Sequence, residues 1–113
     1  MNEEALLNLL DKYDFTIVQP DQMSIWEQAQ LFHNSDIIIG PHGSAFVNMI
    51  FCQPNTSVIE LFASSYFSAH DFSLAYTCNL DWHPYLCQNS QASNDFSIDV
   101  RQFDEFLRSI ISK

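Results

Sequence analysis

Apolar residues fall into short clusters whose spacing changes along the chain, and that rhythm predicts helices alternating with strands. Leu6, Leu9, Leu10 and Tyr13 recur at helical spacing behind Glu3 and Glu4, with Asn2 placed to cap. Residues 15–18 read as a short strand closed by Pro20 and Asp21. Ser24 and Glu27 form a capping-box pattern, and Ile25, Ala29 and Phe32 supply one apolar face of a second helix up to Asn34. The run from Asp36 through Ile37, Ile38 and Ile39 predicts a buried strand. It leads into a turn and then a short helix from about Ser44 to Ile50. Beyond the turn at Pro54, Asn55 and Thr56, residues 57–62 (SVIELF) predict another buried strand. A helix over about 67–78, a weaker strand over 81–87 and a polar loop over 88–94 come next. Asp99 caps a final helix with Val100, Phe103, Leu107 and Ile110 on one face. This alternation predicts one α/β domain over residues 1–113: a Rossmann-like parallel sheet of about four strands covered by helices on both sides.

Length and charge narrow the function. A chain of 113 residues holds one core. Fourteen acids against four bases give a net charge of −10, which disfavours nucleic acid and anionic membranes as partners. The N-terminus has no cationic segment ahead of its apolar residues, and no apolar run approaches membrane-spanning length. Cys52, Cys78 and Cys87 make no disulfide framework. These features predict a cytoplasmic protein with reduced thiols. The formal glycosylation acceptor at Asn55 then reads as a plain turn.

Both glycines of the chain, Gly40 and Gly43, bracket Pro41 and His42 at the end of the 36–39 strand. A strand that ends in such a turn and opens a helix presents backbone N–H groups where α/β proteins bind anions. Ser44 can cap the helix, and His42 can donate to an anion or act as an acid or base. A tight connection without chemistry fits the same four residues. Glu60 stands inside an apolar strand, where an unpartnered carboxylate is costly, and would lie near the same carboxyl edge. Cys78, His83 and Cys87 match no compact zinc module, and no metal is expected. A hydrolase built on His42 and Ser44 would need a carboxylate within hydrogen-bond reach of His42.

The segment 24–62 resembles the C-terminal signature of glycosyltransferase family 61, often labelled capsular polysaccharide biosynthesis proteins in bacteria. The resemblance rests on Gln28 with Leu31 and Phe32, the turn from Gly40 to Gly43, Asn48 with Phe51, and the strand from Val58 to Glu60. It implies the C-terminal lobe of a GT-B fold and transfer of a sugar from a nucleotide-sugar donor to a glycan or other hydroxyl acceptor. It also implies inverting, metal-independent chemistry without a cofactor. By that resemblance Gly40, His42, Gly43 and Ser44 lie near the donor diphosphate and Glu60 near its ribose, with His42 the candidate catalytic residue. Ser44 stands where the family usually has alanine. The family's arginine-bearing strand and its acceptor-side lobe have no counterpart in these residues. The chain alone is therefore expected to be inactive, or to need a complementary N-terminal lobe or a second copy. A non-catalytic α/β interaction module is the alternative.

Overall fold

The computed structural model describes residues 3–63, 69–89 and 96–112. Helix α1 (Glu3–Lys12) and helix α2 (Ile25–His33) precede strand β1 (Ile37–Pro41). A 3-10 segment (Ser44–Phe51) connects β1 to β2 (Ser57–Ala63). Helix α3 (His70–Thr77) connects β2 to β3 (Asp81–Asn89). A two-residue strand β4 (Phe96–Ser97) leads to α4 (Val100–Ile111). Among the described residues β1, β2 and β3 form a parallel sheet in that order, and β4 pairs antiparallel with the end of β3.

Sheet periodicity sorts the side chains into two layers. Ile59 and Leu61 face a core built with Leu6, Leu9 and Leu10 of α1 and Phe103, Leu107 and Ile110 of α4. Val58 faces a smaller core built with Phe46, Met49 and Ala75. Strand β2 is therefore buried on both faces, as its unbroken apolar run requires. The capping box of α2 forms as read: Ser24 Oγ accepts from the Glu27 amide at 3.1 Å, and the Ser24 amide donates to Glu27 Oε1 at 3.0 Å. Asp99 Oδ1 likewise accepts from the Gln102 amide at 3.1 Å.

Several expectations are corrected. Residues 15–18 form no strand, so the parallel sheet has three strands rather than about four. Ile17 and Val18 stay exposed, and without burial on a face their β-propensity decides nothing. Ile25 is 73% exposed and leaves the apolar face of α2 to Phe32 and Ala29. The short helix expected after the turn is present over Ser44–Phe51 and winds as a 3-10 helix. The weak 81–87 strand runs on through Asn89. Pro84 is tolerated there because β3 bonds β2 on one side and meets β4 only at its end. Asn2 and residues 67, 68 and 90–94 of the expected elements lie outside the described residues.

The family-like residues Gln28 and Asn48 explain how α2 grips the 3-10 segment. Asn48 Nδ2 donates to Gln28 Oε1 at 2.6 Å and to the Ala45 carbonyl at 3.0 Å. Gln28 Nε2 in turn donates to the carbonyls of Pro20 and Met23. Asn48→Ala strands the Gln28 oxygen and is expected to cost about 1–3 kcal/mol in urea unfolding. A Gln28→Ala, Asn48→Ala double variant should then cost less than the sum of the two singles.

Candidate functional site

The carboxyl ends of β1 and β2 build the site. Gly40 pairs with Glu60 in the ladder, and the His42 amide extends it by donating to the Leu61 carbonyl at 2.9 Å. His42 stacks on Phe62, with ring centroids 5.0 Å apart and planes at 25°. Its Nδ1 lies 2.5 Å from Glu60 Oε2 and 3.5 Å from Asp71 Oδ2. Trp82 Nε1 donates to the other oxygen, Glu60 Oε1, at 2.9 Å. Two distant sequence features, the GPHG turn and the lone strand carboxylate, thus meet in one hydrogen-bonded group.

Glu60 is fully buried. Burial raises its pKa above the ordinary carboxylate range, and the neighbouring Asp71 raises it further. Hydrogen bonds from His42 and Trp82 pull the other way. A carboxylate beside Nδ1 selects the tautomer that carries its proton there, so proton or phosphate chemistry at His42 falls to Nε2. The ring keeps part of its surface open, with 27% of the side chain exposed.

The two glycines differ in purpose. Neither takes a left-handed conformation. A Cβ at Gly40 would sit 3.3 Å from Phe46 Cζ, so the strand passes too close to the buried Phe46 ring for a side chain. Gly43 is extended, with φ 174°, and a Cβ there would meet nothing closer than the Pro41 carbonyl at 3.8 Å. Gly43 also holds the cap position of the 3-10 segment, without a side-chain bond, so Ser44 is not the cap. It is the exposed first residue of that segment.

Sequence reasoning missed Asp71 and Trp82. An acid in the first turn of a helix ordinarily answers the helix dipole, and a tryptophan in a strand ordinarily packs, so neither carried a signal. The Cys78, His83 and Cys87 set is dispersed. His83 Nε2 bonds Asp81 Oδ2 at 2.8 Å, Cys87 is buried in the α1/α4 core, and Cys78 follows α3. All three thiols are free, and burial pushes those of Cys52 and Cys87 up to about 11. Cys87 should therefore react with a maleimide only as fast as the protein unfolds. Full labelling of native protein within minutes would contradict its placement.

A carboxylate at His42 is also what a hydrolytic scheme with Ser44 requires, so the geometry by itself serves either chemistry. The family model for Glycosyltransferase 61 matches residues 1–59, more than half of the chain. The chain belongs to the glycosyltransferase 61 family. A beta-1,2-xylosyltransferase of Arabidopsis thaliana is 25% identical over 88 residues, covering 78% of this chain and 16% of that protein. Beta-1,2-xylosyltransferase RCN11 of Oryza sativa subsp. japonica is 26% identical over 70 residues, covering 62% of this chain and 13% of its own length. The chain thus spans well under a fifth of these family 61 relatives. No solved structure matches it. Among the described residues, no helix is long and apolar enough to cross a membrane.

Proposed function

We propose that this chain is the donor side of a family 61 glycosyltransferase, binding the diphosphate of a nucleotide-sugar at the GPHG turn. The sugar passes from that donor to a hydroxyl of a glycan acceptor. The pairing of His42 with buried Glu60 at the carboxyl mouth of the parallel strands is the observation that carries this reading. A ligand in such a sheet sits outside those strand ends. A histidine held rigidly there can donate Nε2–H to the oxygen that gains charge as the diphosphate departs. Gly43 and Ser44 are exposed beside the same mouth, and Gly40 lets Phe46 pack beneath it. Glu60 has its oxygens engaged by His42 and Trp82, so in this scheme it acts through His42 rather than on the ribose.

Xylose is the first sugar to test, since both named relatives are beta-1,2-xylosyltransferases. The lobe is that of a GT-B enzyme in this proposal, with the acceptor side supplied by further chain or a partner. Calorimetry with uridine and guanosine diphosphate sugars should show weak binding by the chain and no turnover. Fusion to the N-terminal lobe of a relative should add turnover. Robust transfer by the 113 residues alone would sink the need for a second lobe. Absence of any nucleotide effect even in the fusion would sink the donor site.

A further inference from the structure

We propose that Asp71 is a positioning residue for His42: with Glu60 it holds one shared proton, so that the imidazole rests against a single negative charge. One polar atom from each of the three residues lies within 4.8 Å of the others. They come from separate elements, because His42 follows β1, Glu60 belongs to β2 and Asp71 stands in the first turn of α3. Among the described residues Glu60 and Asp71 are the only buried acids. Two carboxylates buried side by side repel each other and lack hydration, so such a pair keeps a proton that isolated acids would lose.

Hydrogen-bond geometry locates that proton. Glu60 Oε2 accepts from His42 Nδ1 at 2.5 Å, and Oε1 accepts from Trp82 Nε1 at 2.9 Å. The one proton on Nδ1 is thereby engaged, and Asp71 Oδ2, 3.5 Å away, is too distant for a second bond from it. Oδ2 is buried and has no hydrogen-bond partner. As an acceptor it is stranded. With a proton, the Asp71 carboxyl becomes a donor, and Glu60 is the acceptor within reach. The proton belongs to the pair rather than to either residue. The Glu60 carboxyl lies above its ordinary range, through burial first and then through Asp71, which agrees with this placement.

Other titratable groups of the surrounding elements lie elsewhere. The 3-10 segment carries none, and Cys52 and Cys78 stand at the far ends of that segment and of α3. On β3, Asp81, His83, Tyr85 and Cys87 alternate onto the face opposite Trp82. His70 is exposed at the start of α3, and Tyr76 is 76% exposed. One negative charge at Nδ1 is enough to hold the ring's proton there and aim Nε2–H outward. Two would set a second buried anion against an incoming diphosphate. That consequence for transfer rests on the donor-site reading. The shared proton does not, and it is measured without nucleotide.

Infrared spectroscopy of the 113-residue chain in heavy water at neutral pH tests the proton. The carbonyl band of one protonated carboxyl should be present in the folded protein and vanish on thermal unfolding, when both acids meet solvent and ionise. Asp71→Asn and Glu60→Gln should each remove it, and Asp81→Asn, at the start of β3, should keep it. If the buried variants fail to fold, the wild-type band and its loss on heating decide. No such band in folded wild type, or a band that survives both substitutions, would overturn the shared proton. In a transferring fusion enzyme Asp71→Asn should lower turnover about 10–100-fold. It should also abolish the alkaline loss of rate that follows departure of the pair's proton. A rate lowered by one factor at every pH would make Asp71 structural and overturn the positioning role. A fusion without any nucleotide effect, beside a band that behaves as expected, would sink the donor site and leave the shared proton standing.

Discussion

Truncating Phe103 to alanine is expected to remove about 3–5 kcal/mol of folding stability, the largest single loss predicted for this chain. Phe103 is fully buried on α4, with its ring centroid 4.9 Å from that of Tyr85, edge-on, and 6.1 Å from that of Phe106. It sits in the core that joins α1, α4, β2 and β3. A domain of this size has roughly 5–15 kcal/mol in total, so the variant should be largely unfolded on mild warming. Urea denaturation followed by circular dichroism measures the difference. A loss under about 1 kcal/mol would mean that α4 does not pack where it is placed.

The second large effect is chemical. His42→Ala in a transferring enzyme that contains this chain should lower turnover about 10²–10³-fold, the usual cost of deleting one donor to developing charge. Stability should fall by about 1–3 kcal/mol, because truncation strands Oε2 of the buried Glu60 while leaving its bond to Trp82 in place, so turnover is compared on protein shown to be folded. His42→Gln, which can still donate, should recover part of the rate. Equal turnover in wild type and His42→Ala would remove His42 from the chemistry. A loss of rate that tracks only the fraction of unfolded protein would make the residue structural.

Much of the fold was legible because burial and periodicity agree in it. The run SVIELF could only be a strand buried on both faces, and Phe103, Leu107 and Ile110 could only be the inner stripe of a helix. The caps at Ser24 and Asp99 rest on local chemistry and formed as read. Residues 15–18 misled because Ile17 and Val18 look like strand residues until their surroundings are known. The 3-10 winding after the turn was hidden for a related reason. Asn48 fixes that segment through Gln28, twenty positions away, and helical periodicity cannot register such a tether.

The site was half legible. His42 stood out by its turn and Glu60 by its apolar surroundings, yet nothing local shows that they touch. Only the register that sets Gly40 beside Glu60 brings them together. Asp71 arrives on a separate helix and has an ordinary sequence context. That is why the charge balance of the cluster, two acids around one imidazole, became visible only in three dimensions.

The two glycines make the central claim directly measurable. Both lie in the turn, so 15N-glycine labelling reduces the amide spectrum to Gly40 and Gly43. Titration with uridine diphosphate xylose should move both signals in a saturable way, while free xylose at the same concentration should move neither. Two signals that stay fixed up to about 10 mM donor would contradict the assignment of this turn as the nucleotide-sugar site.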